Sequence, residues 1–292
     1  MDITHNSVRA KRPCAEGFRW FLRNYREGGD YQGLLDALVA DGRLDDAVWL
    51  LGQFGPTDAV LAVDSLDVDA LVFAGTLVVR GNIDVAGTLR AGRAVRAGGS
   101  VRVGRALVSG DALRVGGNLR CDGRIEAAGG IRAEWGIESG EALACGDDLR
   151  AGWGLRCGGA LCVAGNVTVA GDLAVSGPLA AGKSLHAGGD LDGADGIRAA
   201  CGIDVAGAID CAGHLEAGWG IRAGGTIRAE GAIRAGESIR AGDEIRAGAG
   251  YGVFAGLNVR TDAWESSARV HARRRPQGLM SGCWEEAAGQ PA

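Results

Sequence analysis

Residues Ile221–Gly250 read IRAGGT-IRAEGA-IRAGES-IRAGDE-IRAGAG, consecutive units of six residues that each begin with isoleucine. The same spacing of a large aliphatic residue extends from Leu71 to Leu257 with no residue inserted or deleted, and Tyr251 is the one position in the run that is not Leu, Ile or Val. The period of six indicates a protein built from short repeats, whose fold follows from the geometry of one unit. A three-residue strand followed by a three-residue corner cannot form a flat meander with useful strands.

Each unit places its aliphatic residue first, a variable residue second, a small residue third, and often Gly or Ala fourth. Side chains alternate along a strand, so the first and third residues point to one side and the second points to the other. Glycine late in the unit allows the chain to turn where a Cβ atom would clash. Three strands and three corners close a coil of about 18 residues, with coils stacked roughly 4.8 Å apart. The sequence therefore predicts a mostly β fold, a three-sided parallel β-helix or β-solenoid.

The composition excludes several other classes of protein. Gly accounts for 52 of 292 residues, but only five residues are proline, which excludes a collagen-like chain. A hydrophobic share of 47% is enough to form a core, so we do not expect a disordered chain. The net charge of -5 gives no overall attraction to nucleic acid, and we expect neither a leader nor a membrane span, because the printed sequence shows no apolar run suited to either. We expect a cytoplasmic protein that has neither nucleic acid nor membrane as its partner.

The eight cysteines contain no CxxC pair. Four of them occupy the third place of a unit, where a small apolar side chain is expected in the core: Cys121, Cys145, Cys157 and Cys211. We interpret these four as reduced, buried thiols, as is usual in a cytoplasmic protein. The sequence therefore indicates neither a metal site nor a cofactor.

The N-terminal part of the chain lacks the six-residue period. Residues 1–13 are polar, so we expect a flexible N-terminus there. Apolar residues at helical spacing over 14–56 predict a small α-helical cap, with Asp30 as a helix N-cap. The predicted helices of the cap are Ala15–Arg26, Gly33–Ala40 and Leu44–Phe54.

The repeat region and the C-terminal part follow the cap. We assign 57–260 to the β-solenoid and 261–292 to C-terminal capping strands and a tail. The capping strands are predicted at Ala268–Pro276 and Gly278–Trp284, lying across the last coil to protect its open edge. The final EEAAGQPA, from Glu285, is expected to be unstructured.

The repeat units resemble those of two families of parallel β-helix. NIDVAG at Asn82–Gly87 and IRA at Ile245–Ala247 are similar to units of the bactofilins, and this resemblance spans residues 71–259. It implies a right-handed, three-sided β-helix that forms polymers. The chain is also similar to the left-handed hexapeptide acyltransferases, but it departs from their small residue at place five, as at Trp219.

The beginning of the chain carries a separate resemblance. RPCAEGFRWF from Arg12 and GRLDDAVWLL from Gly42 resemble the start of uncharacterised bacterial and phage proteins that carry repeats behind this segment. This resemblance implies no activity.

Several motif matches fall inside the repeat, and we expect none of them to function. Gly177–Ser184 fits the phosphate-loop pattern GxxxxGK[ST], but the pattern needs a following helix, and the repeat leaves no room for one. Three acids resemble part of a calcium loop without its spacing: Asp190, Asp192 and Asp195. His186 and His214 are isolated, with no nucleophile or acid placed to form a catalytic set. We predict no catalytic residue and no enzymatic activity.

Surface residues are better candidates for function. Second-place residues three units apart share a face, so one column of arginines is predicted: Arg96, Arg114, Arg132 and Arg150. This column is either a strip for a polyanion or a solvated face, and we favour the solvated face. Exposed corner tryptophans are predicted to contact a partner, with the first two adjacent to each other: Trp135, Trp153 and Trp219. Self-association through the C-terminal end is predicted to involve Tyr251, Phe254 and Trp264.

These observations lead to three functional hypotheses. The leading one is a non-enzymatic structural or scaffolding β-solenoid that binds protein partners through its faces, its corner tryptophans or its cap, and that can self-associate. The first alternative is a trimeric hexapeptide-type acyltransferase. The second is a binding or immunity module that acts on a toxin or on a nucleic-acid-binding protein.

Overall fold

The protein is a parallel β-solenoid with a small helical cap at its N-terminal end, as the sequence predicts. A computed structural model provides the structure and describes residues 2–26 and 28–287. The solenoid has three faces, which are sheets of 13, 11 and 12 parallel strands. In most coils each strand pairs with the strand three units further along the chain, for example Leu113 with Ile131.

Face 1 is the 13-stranded sheet. Its strands are Val60–Val63, Thr76–Val79, Val95–Ala97, Leu113–Val115, Ile131–Ala133, Leu149–Ala151, Val167–Val169, Leu185–Ala187, Ile203–Val205, Ile221–Ala223, Ile239–Ala241, Arg269–Ala272 and Cys283–Glu286.

Face 2 is the 11-stranded sheet. Its strands are Leu66–Val68, Ile83–Val85, Val101–Val103, Leu119–Cys121, Ile137–Ser139, Leu155–Cys157, Leu173–Val175, Leu191–Gly193, Ile209–Cys211, Ile227–Ala229 and Ile245–Arg246.

Face 3 is the 12-stranded sheet. Its strands are Leu71–Phe73, Thr88–Ala91, Ala106–Ser109, Arg124–Ala127, Leu143–Cys145, Leu161–Val163, Leu179–Ala181, Ile197–Ala199, Leu215–Ala217, Ile233–Ala235, Val253–Phe254 and Leu279–Ser281.

The core of the solenoid is formed by the first and third residues of each unit. The aliphatic first residues, such as Leu107 and Leu149, are fully buried along the axis. Cys121, Cys145, Cys157 and Cys211 are buried free thiols, as predicted, and their burial raises the pKa of each thiol. The buried Ser139 hydroxyl donates a hydrogen bond to the carbonyl of Gly123, 3.0 Å away. Small polar groups are therefore accommodated in the core where a corner carbonyl can accept a hydrogen bond from them.

The corners require glycine because successive coils approach each other closely. A Cβ atom on Gly123 would lie 1.7 Å from the carbonyl oxygen of Arg105 in the preceding coil. No side chain fits at this distance, so the corner either keeps glycine or moves away from its neighbour. The abundance of glycine thus follows from the stacking of the corners.

The N-terminal cap contains four helices, one more than predicted. They are α1 His5–Ala10, α2 Ala15–Asn24, α3 Tyr31–Ala40 and α4 Leu44–Phe54. Asp30 is the N-cap of α3, as predicted, and its carboxylate accepts a hydrogen bond from the Gly33 backbone N–H at 3.0 Å.

The prediction of a flexible segment over 1–13 is wrong for its described residues. Strand β1 at Asp2–Ile3 pairs antiparallel with strand β2 at Gly29–Asp30, and α1 follows β1 directly. Ile3 and Val8 are buried in the core of the cap. The polar composition of this segment suggested flexibility, but two of its polar residues stabilise a helix. Thr4 and Ser7 form a reciprocal capping box at the start of α1.

The cap packs on the first strand of face 3. Gln32 on α3 donates a hydrogen bond from Nε2 to the Val72 carbonyl, and its Oε1 accepts one from the Ala74 N–H, both at 3.0 Å. Leu71–Phe73 is the edge strand of face 3, so the amide of Gln32 takes the place of a neighbouring strand. Val72 and Ala74 are buried in the hydrophobic cluster of the cap. The cap therefore covers this edge, which would otherwise offer unpaired backbone groups.

The predicted register is wrong at the last two positions of the repeat. Val253, not Tyr251, pairs with Ile233 and is fully buried, while Tyr251 and Leu257 are each 51% exposed. The chain forms an extra turn before this strand, where Gly250 has a φ of 82° and the Tyr251 N–H donates to the Gly248 carbonyl. This turn lengthens the corner, so the aliphatic valine enters the core and the tyrosine remains at the surface.

The first solenoid strands lie within the predicted range 57–260, but they precede the strict repeat, which begins at Leu71. Leu61 pairs with Leu77, and Leu66 pairs with Ile83. These pairs are separated by slightly less than three full units of sequence, so a search for strict six-residue spacing does not find them. The stretch after the cap therefore forms complete solenoid strands.

The prediction that the C-terminal strands lie across the last coil is wrong. In the structure these strands extend the solenoid. Arg269–Ala272 pairs parallel with Ile239–Ala241, and Cys283–Glu286 continues the same sheet. A 3-10 helix at Thr261–Ala263 and helix α5 at Trp264–Ser267 precede them. Of the tail predicted to be unstructured, Glu285 and Glu286 belong to the last strand, and 288–292 lie outside the described residues.

Within 2–26 and 28–287, none of the helices has both the length and the apolar character needed to cross a lipid bilayer.

Candidate partner-binding surface

The predicted arginine column is present on face 1. Arg96, Arg114, Arg132 and Arg150 pair in register on adjacent strands, and all four are exposed. They line a groove of about 870 Å³ that runs along the face. Arginines in such a column repel one another unless anions lie nearby.

Acidic residues reduce the positive charge of this groove. Arg132 Nε donates a hydrogen bond to the Glu134 carboxylate at 2.7 Å, and Asp147 and Asp148 line the same groove. A hydrogen bond from the Asn166 backbone N–H lowers the pKa of Asp148. The groove therefore combines both signs of charge, an arrangement that suits a protein surface better than a continuous polyanion.

Further along face 1 the column becomes mixed. Thr168 follows Arg150 in register, and then His186 and Asp204, whose Nδ1 and Oδ2 atoms are 3.9 Å apart. Arg222 and Arg240 follow them and line a second groove.

Trp135 and Trp153 lie side by side on the edge between faces 1 and 2. The Trp153 N–H donates to the Trp135 carbonyl at 3.2 Å, which confirms that they are neighbours in adjacent coils. The contact is between backbones, and the described chain shows no ring-to-ring pairing of the two indoles. Their side chains are 61% and 74% exposed. Large indoles with this exposure leave apolar area that a partner can cover.

Glycines on both sides isolate the tryptophan pair. Gly117 and Gly171 occupy the equivalent corner positions in the coils before and after, and each is hydrogen bonded through its backbone to one tryptophan. The two indoles are therefore the only large side chains over four successive coils at this position of the edge. They also follow Arg132 and Arg150 closely in the same units, so the indoles flank the arginine groove.

Trp219 lies on a different edge, between faces 3 and 1. It is exposed, and its N–H donates to the Cys201 carbonyl at 3.1 Å. The structure does not bring it together with Trp135 and Trp153, in agreement with the sequence-based placement on a separate edge.

The residues suggested for self-association contact different neighbours near the C-terminal end. Tyr251 contacts the ring of His214 edge-on, at a centroid distance of 5.3 Å. Phe254 is half-buried with the Arg234 guanidinium above its ring, and the half-buried Trp264 packs near Gly256. Met280, which is 69% exposed, lies beside Phe254 and Gly252 and was not identified from the sequence. The uncharged run GLMSGC around it is the signal that could have indicated an exposed edge.

The phosphate-loop match has no amides available for a phosphate. The N–H groups of Gly177, Gly182 and Lys183 donate to carbonyls of the preceding coil, at 2.8 to 3.1 Å. The Ser184 N–H donates to the Asn166 side chain. The segment forms part of a strand and a corner, and no helix follows it, because Leu185–Ala187 is again a strand.

Two of the acids that resemble a calcium loop accept hydrogen bonds from backbone N–H groups at the corners. The Asp190 carboxylate accepts a hydrogen bond from the Ala208 N–H at 2.8 Å, and the Asp195 carboxylate accepts one from the Gly196 N–H. Partial burial, together with repulsion from Asp190 and Asp210, raises the pKa of Asp192. No group of three or more potential metal ligands is found in the described ranges.

His214 likewise serves a corner. Its Nδ1 accepts a hydrogen bond from the Ala232 N–H at 2.9 Å, which fixes the ring against the next coil. The imidazole therefore takes the role that Asn and Asp side chains have at other corners.

Comparison with known proteins identifies one part of the chain. Residues 1–54 match the model of the YdhT N-terminal domain. The match coincides with the helical cap and includes none of the solenoid strands, which begin at Val60. Comparison with curated proteins and with solved structures gave no match. The family match therefore supports the cap as a recurring unit, and none of these comparisons supports the resemblance of the solenoid to bactofilins.

Proposed function

We propose that this chain is a non-enzymatic scaffold that holds a protein partner along its solenoid, anchored by Trp135 and Trp153. The observation that carries the proposal is the pair of adjacent, exposed indoles beside a groove lined by arginines. Tryptophan and arginine are the residue types that most often dominate the energy of protein interfaces. The stacked coils keep these side chains at fixed separations, which lowers the entropy lost on binding.

The proposal includes a location in the cytoplasm and no catalytic role. Four buried thiols that carry no disulfide support a reducing compartment. Ser184, Asp190 and His214 from the motif matches take part in corner hydrogen bonds, which supports a structural use of these residues.

Affinity capture with the full-length chain tests the proposal. The immobilised protein is incubated with a lysate of its source cells, and captured proteins are quantified by mass spectrometry. The double substitution Trp135→Ala, Trp153→Ala is expected to reduce capture of a specific partner by at least about thirtyfold, since loss of a hot spot costs about 2 kcal/mol or more.

Met280→Ala is the matched control, because Met280 is equally exposed but lies at the C-terminal end. Capture should be unchanged in this variant, and the melting temperatures of both variants should match that of the native protein. Equal capture by the native chain and the double tryptophan variant would rule out the tryptophan edge as the anchor.

A further inference from the structure

The charge of the chain is strongly segregated. Residues 1–26 hold six basic and two acidic residues, whereas the remaining residues hold 25 basic and 34 acidic ones. A basic N-terminal segment therefore precedes an acidic remainder. The mild net charge of the whole chain conceals this difference.

Five of the six basic residues are arginines, and we refer to this group of exposed arginines as the arginine cap face. They are Arg9, Arg12, Arg19, Arg23 and Arg26. All five are exposed, and none of them forms an ion pair with any residue that the structure describes. The sixth, Lys11, lies over the ring of Phe54, with its ammonium 5.8 Å from the ring centroid.

Helix α2 presents part of this face to solvent. Arg19 and Arg23 are one turn apart, while Phe21 on the opposite side is buried in the cap. The apolar side of α2 is thus already covered by the protein itself. The arginines are not needed to pack the cap, and their charge is left for a partner.

The link between α1 and α2 provides an independent observation. Arg12 has a φ of 55°, and no other non-glycine residue in the described ranges has a positive φ. Glycine or asparagine normally occupies such a position after a helix, because a Cβ atom strains it. An exposed arginine therefore occupies a position where glycine would cause less backbone strain. Strained backbone positions of this kind are often found at binding sites.

We propose that the arginine cap face is a docking surface for an acidic segment of a partner protein. Arginine guanidinium groups bind carboxylates through paired hydrogen bonds, and all five of these arginines lie close together in sequence, between Arg9 and Arg26. A short acidic segment can cover this face alone. A nucleic-acid duplex would extend over acidic neighbours around the start of α4, including Asp41, Asp45 and Asp46, and would be repelled. This surface is separate from the tryptophan edge, and either proposal can hold without the other.

Binding of defined probes to the full-length chain tests the proposal. The main probe is a fluorescein-labelled peptide of alternating glutamate and glycine, with alternating glutamine and glycine as the neutral control. Fluorescence anisotropy should show saturable binding of the acidic peptide that weakens as salt is raised, and no binding of the neutral peptide.

Charge-matched variants locate the site. Arg19→Gln, Arg23→Gln should weaken binding of the acidic peptide by at least about tenfold, since each substitution removes a charge-assisted contact. Arg102→Gln, Arg156→Gln removes the same charge from exposed positions on face 2 and should leave the affinity within about twofold.

Arg12→Gly separates binding from folding. Glycine relieves the strained backbone while removing one cation, so the melting temperature should stay the same or rise while the affinity for the peptide falls. A residue with a purely structural role would not show these opposite changes.

Three results would overturn the proposal. The first is absence of saturable binding, or equal loss of binding in the cap and face 2 variants. The second is tighter binding of a labelled oligothymidylate of the same charge, which would assign the face to nucleic acid. The third is concentration-dependent self-association in sedimentation that Arg19→Gln, Arg23→Gln abolishes, which would assign the face to a second copy of the chain.

Discussion

His271 illustrates how a single residue near the C-terminal end is affected by its neighbours. It lies on face 1 between Arg240 in the preceding coil and Glu285 in the next one. Partial burial lowers the pKa of His271, and Arg240 and Arg269 lower it further, while Glu285 acts in the opposite direction. Its Nε2 atom is buried without a hydrogen-bond partner in the described structure. The folded protein therefore favours the neutral imidazole.

The stability of the protein should consequently depend on pH through His271. Well above pH 6.5, the usual pKa of histidine, the side chain is neutral in both the folded and the unfolded chain. As the pH falls below this value the unfolded chain takes up the proton first, so the free energy of unfolding decreases. His271→Gln should lose less stability than the native protein between pH 8 and about pH 5.5, measured by urea unfolding. Identical pH profiles for the two proteins would contradict this assignment.

At the scale of elements, the junction between α3 and the first strand of face 3 connects the cap to the solenoid. Gln32 supplies both a donor and an acceptor to the edge strand, and Val72 and Ala74 pack into the hydrophobic cluster of the cap. Tyr31 adds a hydrogen bond from its hydroxyl to the Gly55 carbonyl at 3.0 Å, and burial raises the pKa of Tyr31 to about 12. The Gln32 bonds therefore join the cap to the edge strand, while the Tyr31 bond fixes α3 to the end of α4 within the cap.

Replacement of Gln32 by alanine should weaken this junction. The Val72 carbonyl and the Ala74 N–H would lose their partner in a buried environment, at a cost of about 1–3 kcal/mol. Hydrogen exchange of residues 29–54 should rise, because the cap opens more often. Gln277→Ala, at an exposed position, is the control and should leave exchange of the cap unchanged. Unaltered exchange in Gln32→Ala would show that apolar packing alone holds the cap.

At the scale of the whole molecule, each coil contacts only its neighbours along the axis. A central coil has a neighbouring coil on both sides, whereas each end coil has one on a single side, with the cap packed on the face 3 edge at the N-terminal end. The first residues of the end coils reflect this difference, since Leu61 and Leu279 are only partly buried and Leu149 is fully buried. Stability in such a protein is approximately a sum of neighbour contacts.

Protection from hydrogen exchange should therefore decrease from the centre of the solenoid toward its ends. Mass spectrometry of peptides around Leu143–Leu161 should show the slowest exchange, and those around Val60–Val68 and Leu279–Glu286 the fastest within the solenoid. Uniform protection over all coils would indicate that the solenoid opens as a single cooperative unit.

The sequence was sufficient to predict the three-sided solenoid because every coil repeats one geometric requirement. It failed at Tyr251 because strict spacing favoured the tyrosine, whereas burial favours Val253, slightly later in the chain. The contact of Gln32 with the sheet edge joins distant parts of the chain, and no local pattern reports it. The tryptophan edge was predictable since its residues occupy defined corner positions. The arginine cap face was not, because the flexible segment expected over 1–13 concealed the helix that carries Arg9.

The fixed register of three units per coil has a consequence for the length of the molecule. Removing Gly154–Gly171, or inserting a second copy of these residues, would leave every flanking strand facing its usual partner type, because both changes equal one full coil. The distance between the cap and the C-terminal end can thus change in steps of one strand spacing, about 4.8 Å, without redesign of either end. Duplication of a whole coil lengthens the solenoid by one strand spacing, and deletion of a whole coil shortens it by the same distance.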